Sequence, residues 1–376
     1  MSYQKWAEET MMRILSKLEK TAPAIGASFP HMSQNGEFDS ETPRWWTNGF
    51  WPGILWLAYN LTKNENYAFI AKETEVKMDV VIDEFDQIDH DAGFMWLLSS
   101  GANYMINSDE KSRCRLLKAA SFLASRFNMQ GNFIRAWNNE RGWAIIDCTM
   151  NLPLLYWASN EINDPRFMYI ARAHADTVVK HFIREDGSVN HIVSFDPYTG
   201  DCLGALGGQG AAPDSAWSRG ASWAVYGMAL AYRHLKDEKY LNAAKRTANF
   251  FIANLPEDMV AYWDFRVEKT QATPRDTSAT ACVACGLLEL AELVGGVEGE
   301  NYKEKAYKVL RSLTDNYSNL DNDEQQSLLS GGTVNAVINK GVNVGLIYGD
   351  YFYMEAISRL MGNKDIFWYS APKAEQ

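Results

Sequence analysis

The sequence predicts an all-α fold, an (α/α)6 barrel in which an inner ring of six helices lies inside an outer ring. Three observations lead to this prediction. Apolar residues recur with helical spacing along most of the 376 residues. An aromatic residue followed four positions later by alanine opens several helices, which indicates an internal repeat. Strongly apolar helices also alternate with amphipathic ones, and helices that are apolar nearly all round are buried.

Helical periodicity and end signals predict helices over most of the chain, with strands confined to the connections. The helices are predicted over residues 3–20, 48–62, 65–85, 92–107, 109–127, 145–161, 165–183, 217–235, 237–254, 276–295, 300–318 and 349–361. Strand signals are short, over 190–195 and 259–267. No Pro/Gly/Ser-rich linker divides the chain, so a single domain over residues 1–376 is expected rather than two all-α domains.

The repeat suggests how the helices pair. Residues four apart lie on one helix face, and the small alanine leaves room for a neighbouring helix to approach. The pairs are Tyr67 and Ala71, Phe167 and Ala171, Tyr240 and Ala244, and Tyr302 and Ala306. The helices before these pairs are more apolar, as in WPGILWLAY and ACGLLELAEL. The sequence therefore predicts helical hairpins whose first member is inner and whose second member is outer.

Composition argues against two classes of partner. The formal net charge is -11 without a long basic run, so a nucleic-acid partner is not expected. The first residues lack the pattern of a signal peptide, and we find no apolar run near the length of a membrane span. We therefore expect a cytoplasmic protein without a membrane partner. The 13 Trp and 18 Tyr suit a pocket for ring-shaped ligands.

Neither a metal nor a cofactor is predicted. Cys282 and Cys285 form a C-x-x-C within an apolar helix, but no second pair follows at zinc spacing, so both are expected in the core. No His or Cys pair has ligand spacing. The glycines of residues 204–210, GALGGQG, do not open a phosphate-binding loop, and we interpret them as a mobile loop at the cleft.

Polar and aromatic residues stand directly before several of the apolar helices. The segments are RWWTNGFW (44–51), IDHDAGFMW (88–96), GWAIIDC (142–148) and DSAWSRGASW (214–223). Because inner helices of a toroid share one mouth, we expect these segments to line one cleft. There Trp46, Trp137 and Trp223 could stack on sugar rings. Arg219 could pair with a carboxylate.

Two carboxylates carry the predicted chemistry. Asp147 lies in an almost wholly apolar run, where a bare charge is costly to bury, and Asp91 lies in a similar segment. Two carboxylates that face one cleft push their pKa values apart, so one can stay protonated for acid/base work on a sugar. The alternatives are that either residue caps a helix, or that Asp147 forms a core ion pair. His90, beside Asp91, and His191, ahead of Gln209, are further candidates.

Motifs along nearly the whole chain resemble those of the unsaturated glucuronyl hydrolases, glycoside hydrolase family 88. The most specific are HDAGFMW around Asp91, IIDCTMNLPLL around Asp147, WSRGASW (217–223), and YWDF (262–265) followed by RDTSAT (275–280). The family fold is the (α/α)6 barrel, in agreement with the helix pattern.

The resemblance implies hydration of the C4–C5 double bond of an unsaturated uronic acid at the non-reducing end of an oligosaccharide. Asp147 would protonate C4 and then deprotonate the water that adds to C5. Asp91 would stabilise the charge and keep Asp147 protonated. The residues expected to bind substrate are Trp46, His90, Trp137, His191, Gln209, Arg219, Trp223 and Lys340.

The chain departs from the family pattern in two places. Gly208 stands where relatives have His beside the Gln, which removes one hydrogen bond to substrate. Relatives that accept sulfated fragments have a Ser-x-x-Ser-x-Lys stretch, and the corresponding Asn335, Ile338 and Lys340 keep only the Lys. Sulfate recognition is therefore not implied. An unsaturated rhamnogalacturonyl hydrolase, a sugar epimerase on the same toroid and a non-catalytic sugar-binding toroid stay open as alternatives.

Overall fold

A computed structural model describes residues 2–84 and 87–369 of the chain. Within these residues the fold is mainly helical. The α-helices are α1 (Tyr3–Ile25), α2 (Phe50–Thr62), α3 (Glu65–Lys77), α4 (Asp79–Asp83), α5 (Ala92–Trp96), α6 (Ala102–Asn107), α7 (Glu110–Ser125), α8 (Leu152–Ile162), α9 (Pro165–His181), α10 (Ser218–Leu235), α11 (Glu238–Asn254), α12 (Thr277–Val294), α13 (Gly296–Asn316) and α14 (Ile347–Leu360). The predicted domain over 1–376 includes residues outside these ranges, so its full extent stays a prediction.

Short antiparallel strands fill several connections between the helices. They are β1 (Ser33–Gln34), β2 (Glu37–Phe38), β3 (Phe127–Asn128), β4 (Phe133–Ile134), β5 (Trp143–Ile145), β6 (Ile192–Phe195), β7 (Cys202–Leu206), β8 (Gly332–Asn335) and β9 (Lys340–Val344). Strands β5, β6 and β7 form a three-stranded sheet, and the others pair as hairpins. The predicted strand over 190–195 is confirmed as β6, whereas 259–267 forms only isolated bridges through Tyr262 and Asp264.

The inner helices close into a ring. Helix α2 contacts α14 on one side and, on the other, the π-helical turn Leu97–Gly101 that joins α5 to α6. The ring continues through α8, α10 and α12 back to α14. Helices α3, α7, α9, α11 and α13 each pack outside the inner helix that precedes them, and α1 packs on α14. The predicted (α/α)6 barrel is confirmed.

The repeated aromatic–alanine pairs face inward, as their spacing predicted. All eight residues are buried, and they lie on the outer helices α3, α9, α11 and α13. Cys282 and Cys285 are buried in α12 without a disulfide, which confirms their predicted place in the core. The small side chains thus set the distance between the two layers of helices.

Several helix boundaries differ from the prediction for local reasons. The helix expected over 65–85 ends at Lys77 and is followed by α4, and residue 85 lies outside the described residues. The helix expected from 145 begins only at Leu152, with Pro153 in its first turn, a position that proline favours. The residues before it, Ile146–Met150, form a 3-10 turn. Asp147 is thereby held on a tight turn at the mouth of the barrel.

Helix α12 is, within the described part of the chain, long and apolar enough by length and composition to cross a membrane. The expectation that no apolar run reaches this length was therefore wrong. The helix has 18 residues, and 78% of them are buried inside the barrel. This burial is typical of a core helix, whose apolar surface is covered by neighbouring helices.

The end of the barrel opposite the site entrance is closed by the chain after α14. Trp368 is only 1% exposed and stacks on Phe352, with ring centroids 6.1 Å apart and an interplanar angle of 8°. Its Nε1 donates a hydrogen bond of 2.8 Å to Glu355 Oε2. We call residues 366–369 the far-end plug.

A buried carboxylate beside the far-end plug is surrounded by donors. Glu289 of α12 accepts from Arg233 Nε at 2.5 Å, from Arg359 Nη2 at 2.6 Å and from Tyr369 Oη at 2.5 Å. Burial alone would raise the pKa of Glu289, but Arg359 and Arg233 hold it below its ordinary value. This carboxylate is therefore a charged structural group.

Candidate active site

The predicted inner-helix entrances meet at one end of the barrel. The 3-10 turn Trp46–Gly49 contacts α5, and the turn Ile146–Met150 contacts α10. Asp91 stands directly before α5, and Arg219 lies in the first turn of α10. The structure thus brings together segments that are far apart in the sequence, as the toroid predicted.

Asp147 projects from its turn into a nearly dry environment. Strand β5 delivers the chain to this turn, and the Ile146 N–H donates to the carbonyl of His191 at 3.0 Å. The Asp147 side chain is 15% exposed, and its Oδ1 has no hydrogen-bond partner among the described residues. Because neither a helix cap nor an Arg or Lys partner engages it there, both structural alternatives are wrong for this residue.

Burial changes the protonation of Asp147. It raises the pKa of Asp147 to about 7, against the opposing effect of Arg219, whose positive charge favours the ionised form. The Trp223 indole also lowers this pKa, although its Nε1 is not in hydrogen-bonding geometry with an acceptor. Asp147 can therefore be either protonated or ionised near neutral pH, as a group that gives and takes a proton requires.

Asp91 is the second buried carboxylate of the site. It occupies the N-cap position of α5, as the helix-cap alternative predicted, but its side chain makes no capping hydrogen bond. Its pKa is raised well above the ordinary value by burial, then by the negative charges of Asp89 and Asp147. Its nearest polar neighbours are His90 Nε2, 3.5 Å from Oδ2, and Asn151 Nδ2, 3.4 Å from Oδ1. The pKa of Asp147, by contrast, is raised mainly by burial and not by Asp91.

Asn151 is a site residue that sequence reasoning missed. It is fully buried, and its Oδ1 accepts the Phe94 N–H at 2.8 Å, which fixes the orientation of the amide. Its Nδ2 therefore points to Asp91 Oδ1 and to the Asp147 carbonyl, at 3.4 and 3.3 Å. One amide thus links the two acidic turns. The only sequence signal was its place in the IIDCTMN motif, which gives no spatial information.

His191 lies beside Asp147 in a defined tautomer. Its Nδ1 accepts the Gln209 N–H at 2.9 Å, and burial, followed by Arg219, lowers its pKa to about 3. The neutral ring therefore carries its proton on Nε2, which lies 3.6 Å from Asp147 Oδ1. Gly208 permits this arrangement, because a Cβ there would lie 2.1 Å from His191 Nδ1 and its φ is +59°.

Both terminal nitrogens of Arg219 donate hydrogen bonds within the protein. Its Nη1 donates to Asp276 Oδ2 and to the Thr333 carbonyl, both at 2.6 Å. Its Nη2 donates to Gln209 Oε1 at 2.7 Å and to the Val334 carbonyl at 2.6 Å. The expectation that Arg219 pairs with a carboxylate is confirmed, and its partner is Asp276 at the start of α12. A role of Arg219 in binding substrate stays a prediction.

The three tryptophans differ in accessibility. Trp46 is partly exposed and packs against Tyr348 and Phe94, with centroids 4.9 and 5.6 Å away. Trp137 is also partly exposed and lies 6.3 Å from His90. Trp223 is fully buried, so its ring has no free face, and the prediction that a sugar stacks on it is wrong. Trp46 and Trp137 keep a stacking role as a prediction.

His90 is buried with both ring nitrogens unpaired by hydrogen bonds, and burial, then Arg126, lowers its pKa well below the usual value. The residues Asp89, His90 and Asp91 bring ligand-type atoms within 4.8 Å of one another, a grouping that the sequence analysis did not predict. The positive charge of Arg126 beside both carboxylates disfavours a further cation. We derive no reaction step through a metal.

Strands β8 and β9 form the hairpin that carries Lys340. The carbonyls of Thr333 and Val334 in β8 accept from Arg219, so the hairpin is attached to the site. Lys340 Nζ lies over the Trp45 ring, 5.4 Å from its centroid, and Ile338 at the tip is 66% exposed. Lys340 therefore lies at the rim.

The glycine-rich run at 204–210 is not the single loop that was expected. Gly204 to Leu206 belong to β7, and Gly207 begins a turn in which Gly210 N–H donates to the Gly207 carbonyl. The following segment is fixed by buried Asp264, which accepts the N–H groups of Ala211 and Ala216. The turn that presents Gln209 is therefore anchored to the connection after α11.

A family model described as Glycosyl Hydrolase Family 88 matches residues 10–362, nearly the whole chain. The chain belongs to glycosyl hydrolase family 88. Among the relatives within this family, an unsaturated glucuronyl hydrolase from Bacillus sp. strain GL1 is 36% identical over 354 residues, 92% of this chain and 94% of the relative. An unsaturated chondroitin disaccharide hydrolase from Streptococcus pneumoniae is 38% identical over 330 residues, 86% of this chain and 83% of the relative.

Solved structures of family 88 proteins share the fold. The unsaturated glucuronyl hydrolase from Bacillus sp. GL1 superposes with a TM-score of 0.92 at 34% identity, covering 98% of this chain and 100% of that one. A UGL variant in complex with dGlcA-Glc-Rha-Glc gives a TM-score of 0.91 at 34% identity, covering 98% and 99%. A Streptococcus agalactiae variant in complex with dGlcA-GalNAc6S gives 0.84 at 34% identity, covering 96% and 92%.

Proposed function

We infer that this protein is an unsaturated glucuronyl hydrolase, which hydrates the C4–C5 double bond of a terminal unsaturated uronate on an oligosaccharide. The observation that carries the inference is the pair of buried carboxylates, Asp147 and Asp91. Both have raised pKa values and neither meets an Arg or Lys side chain at ion-pair distance among the described residues. Family 88 membership, with relatives of this activity covering nearly the full length, supports the same reaction.

The reaction uses Asp147 twice. The protonated carboxyl gives its proton to C4, and the positive charge that develops at C5 is shared with the ring oxygen. The resulting carboxylate takes a proton from a water molecule, whose oxygen bonds to C5. The product is a hemiketal, which rearranges with opening of the ring and loss of the glycosidic bond. Asp147 is then protonated again, so no external acid or base is consumed.

The neighbours of Asp147 are compatible with both its protonated and its ionised form. The Nε2–H of neutral His191 faces Asp147 Oδ1 and can donate to it once the carboxylate forms. Arg219 favours the ionised state from a greater distance. Asp91, held by Asn151, can stabilise the positive charge at C5 when it is ionised. The negative charge of Asp147, in turn, raises the pKa of Asp91.

The other functions receive less support. A rhamnogalacturonyl hydrolase would share the chemistry, but the relatives described above are glucuronyl and chondroitin disaccharide hydrolases. An epimerase would need titratable histidines, whereas burial keeps His90 and His191 neutral. A purely sugar-binding toroid gives no reason for two unpaired carboxylates in its cleft, because buried carboxylates without partners cost stability.

Substrate preference and location complete the proposal. Lys340 is the only residue retained from the Ser-x-x-Ser-x-Lys pattern, and Ile338 places an exposed apolar side chain two residues before it. We therefore propose that unsulfated sugars are preferred next to the uronate. A cytoplasmic location agrees with the five cysteines being unpaired in the structure and is tested by cell fractionation.

The decisive experiment follows loss of the conjugated double-bond absorbance in the ultraviolet. Substrates are unsaturated disaccharides from chondroitin, hyaluronan, heparin and pectin, tested with wild type and with Asp147→Asn. We expect turnover that the substitution lowers at least 10²-fold, and kcat that falls as pH rises through about 7 because the donor loses its proton. Absence of turnover with every substrate, in a folded protein, would contradict the proposed function.

A further inference from the structure

The sheet formed by β5, β6 and β7 has two faces of different character. Side chains alternate between the faces of a strand, so Ala144 of β5 points opposite to Trp143 and Ile145. Ala144 and its β6 neighbour Val193 belong to the main core of the barrel. On the other face, Ile145 and Ile192 form a separate small cluster with partly exposed aromatic and apolar neighbours. We call this second face the outer face.

Strand register arranges the outer face in two rows. Ile145 pairs with Ile192, which pairs with Leu206, and these three form the first row. Trp143 pairs with Ser194, which pairs with Gly204, and these three form the second row. The two rows are two residues apart along each strand.

The first row begins at the catalytic centre. Ile145 precedes the turn that carries Asp147, and Ile192 directly follows His191. The second row lies farther out along the same strands. Trp137 connects the two regions, because its ring centroid is 6.3 Å from that of His90 and 6.0 Å from that of Trp143. The outer face therefore adjoins the candidate site through Trp137.

In the second row, an indole ring stands beside two small residues that leave the surface of the strands open. Trp143 is partly exposed, and its ring meets that of Trp137 at 69°. Next to it, Ser194 is small and partly exposed. Gly204 follows, and apart from its chain neighbours no atom of the described residues lies within 4 Å of the place where its Cβ would be. A ring-shaped ligand can therefore lie on the strands with one side against an indole.

We propose that the row Trp143–Ser194–Gly204 is a distal subsite for an uncharged sugar beyond the residue bonded to the uronate. The indole offers an apolar surface to the C–H face of the sugar, and the Ser194 hydroxyl offers one hydrogen bond. This inference rests on the proposed function, because it extends the same cleft.

The chemistry of the outer face selects the class of sugar. None of the six residues in its two rows is charged. A sulfate or a second uronate placed there would lose water without gaining a cation from this face, which is unfavourable. The subsite therefore suits oligosaccharides whose sugars after the unsaturated uronate are neutral.

The test compares dGlcA-Glc-Rha-Glc with the shorter dGlcA-Glc by the loss of ultraviolet absorbance. The quantity measured is the ratio of kcat/KM for the longer substrate to kcat/KM for the shorter one. We expect Trp143→Ala to lower this ratio about fivefold to tenfold, and Trp143→Phe to lower it less. Tyr198→Ala is the matched control, because Tyr198 is 77% exposed in the connection between β6 and β7 and lies outside both rows.

A second variant covers the case in which Trp143→Ala fails to fold. Ser194→Tyr keeps the indole but places a large side chain on the open surface beside it. This variant is also expected to lower the ratio of the two kcat/KM values. Turnover of both substrates with a ratio unchanged by Trp143→Ala or by Ser194→Tyr in folded protein would overturn the subsite and leave the proposed function standing. Absence of turnover of both substrates by the wild type would overturn the proposed function, and the subsite with it.

Discussion

The two ends of the barrel bury carboxylates in opposite ways. At the far end, Glu289 accepts hydrogen bonds from two arginines and a tyrosine, and its pKa is lowered. At the mouth, Asp147 and Asp91 form no ion pair with an Arg or Lys among the described residues, and their pKa values are raised. Burial is common to both ends, so it does not by itself mark a functional group. The difference lies in the partners, since an acid without cationic partners keeps its proton available for transfer.

The largest expected effect is a loss of activity when an acid at the mouth of the barrel is replaced. Asp147→Asn and Asp91→Asn should each lower kcat by about 10²–10⁴-fold, because each removes a group that we propose acts on the reacting sugar. Neither should lower the free energy of unfolding, because each removes a buried carboxylate without a cationic partner. Steady-state kinetics and chemical denaturation measure the two quantities. A variant that loses activity only in proportion to its lost stability would contradict the proposed difference between the acids at the two ends.

The next effect concerns the far end. Glu289→Gln leaves Arg359 and Arg233 without their shared charge, and we expect a loss of about 3–5 kcal/mol in unfolding free energy. Catalysis per folded molecule should persist, since Glu289 lies away from the mouth. Glu292→Gln is the control, because its side chain is 58% exposed beside Arg233 and should cost less than about 1 kcal/mol. Equal losses in the two variants would show that burial does not decide the outcome.

The third effect is a dependence of stability on pH. The pKa of Asp147 is about 7 in the folded protein and 3.8 ordinarily, so the folded state retains a proton that the unfolded state has lost. This retained proton stabilises the folded state. Its contribution to the free energy of unfolding is complete below pH 3.8 and is lost as the pH rises to about 7, by up to about 1.4 kcal/mol for each pH unit. Denaturation of wild type and Asp147→Asn across this range measures it. The two proteins should diverge steadily, and parallel curves would exclude a raised pKa.

The smallest effect sharpens the description of the far end. Tyr369→Phe removes a hydroxyl that donates to Glu289 at 2.5 Å and accepts from Arg359 at 2.9 Å. We expect a loss of about 1–2 kcal/mol in unfolding free energy, with no change in kcat. Thermal unfolding under matched conditions measures the loss. An increase in stability would show that the hydroxyl is not part of the network that neutralises Glu289.

The barrel was predictable because its evidence is periodic. Apolar spacing identified the inner helices, and the aromatic–alanine pairs identified outer ones, since both depend on neighbours close in sequence. The residues at which the helices begin and end were harder to predict because they depend on distant contacts. The start of α8 at Leu152 follows from Pro153, a local signal that the prediction over 145–161 did not use.

The candidate site was predictable in its acids but not in its partners. Asp147 and Asp91 are conspicuous among apolar neighbours, whereas the role of Asn151 depends on its approach to Phe94 and Asp91 across the ring. Arg219 was expected to meet substrate, and only the folded chain shows that Asp276, from the next inner helix, engages it. Ion pairs between separate helices leave no pattern in a single sequence.

Closure of the inner ring also constrains how the protein is made. Helix α14 is the last ring helix to leave the ribosome, and its neighbour α2 is synthesised nearly three hundred residues earlier. Until α14 emerges, the apolar side of α2 that packs against it is uncovered. Contacts between such distant segments also form slowly. The turns that carry Asp91 and Asp147 are synthesised long before this step. Until α14 emerges, the nascent chain therefore holds both acids in an open arc of helices, and the exposed apolar surface of such an arc favours the binding of chaperones.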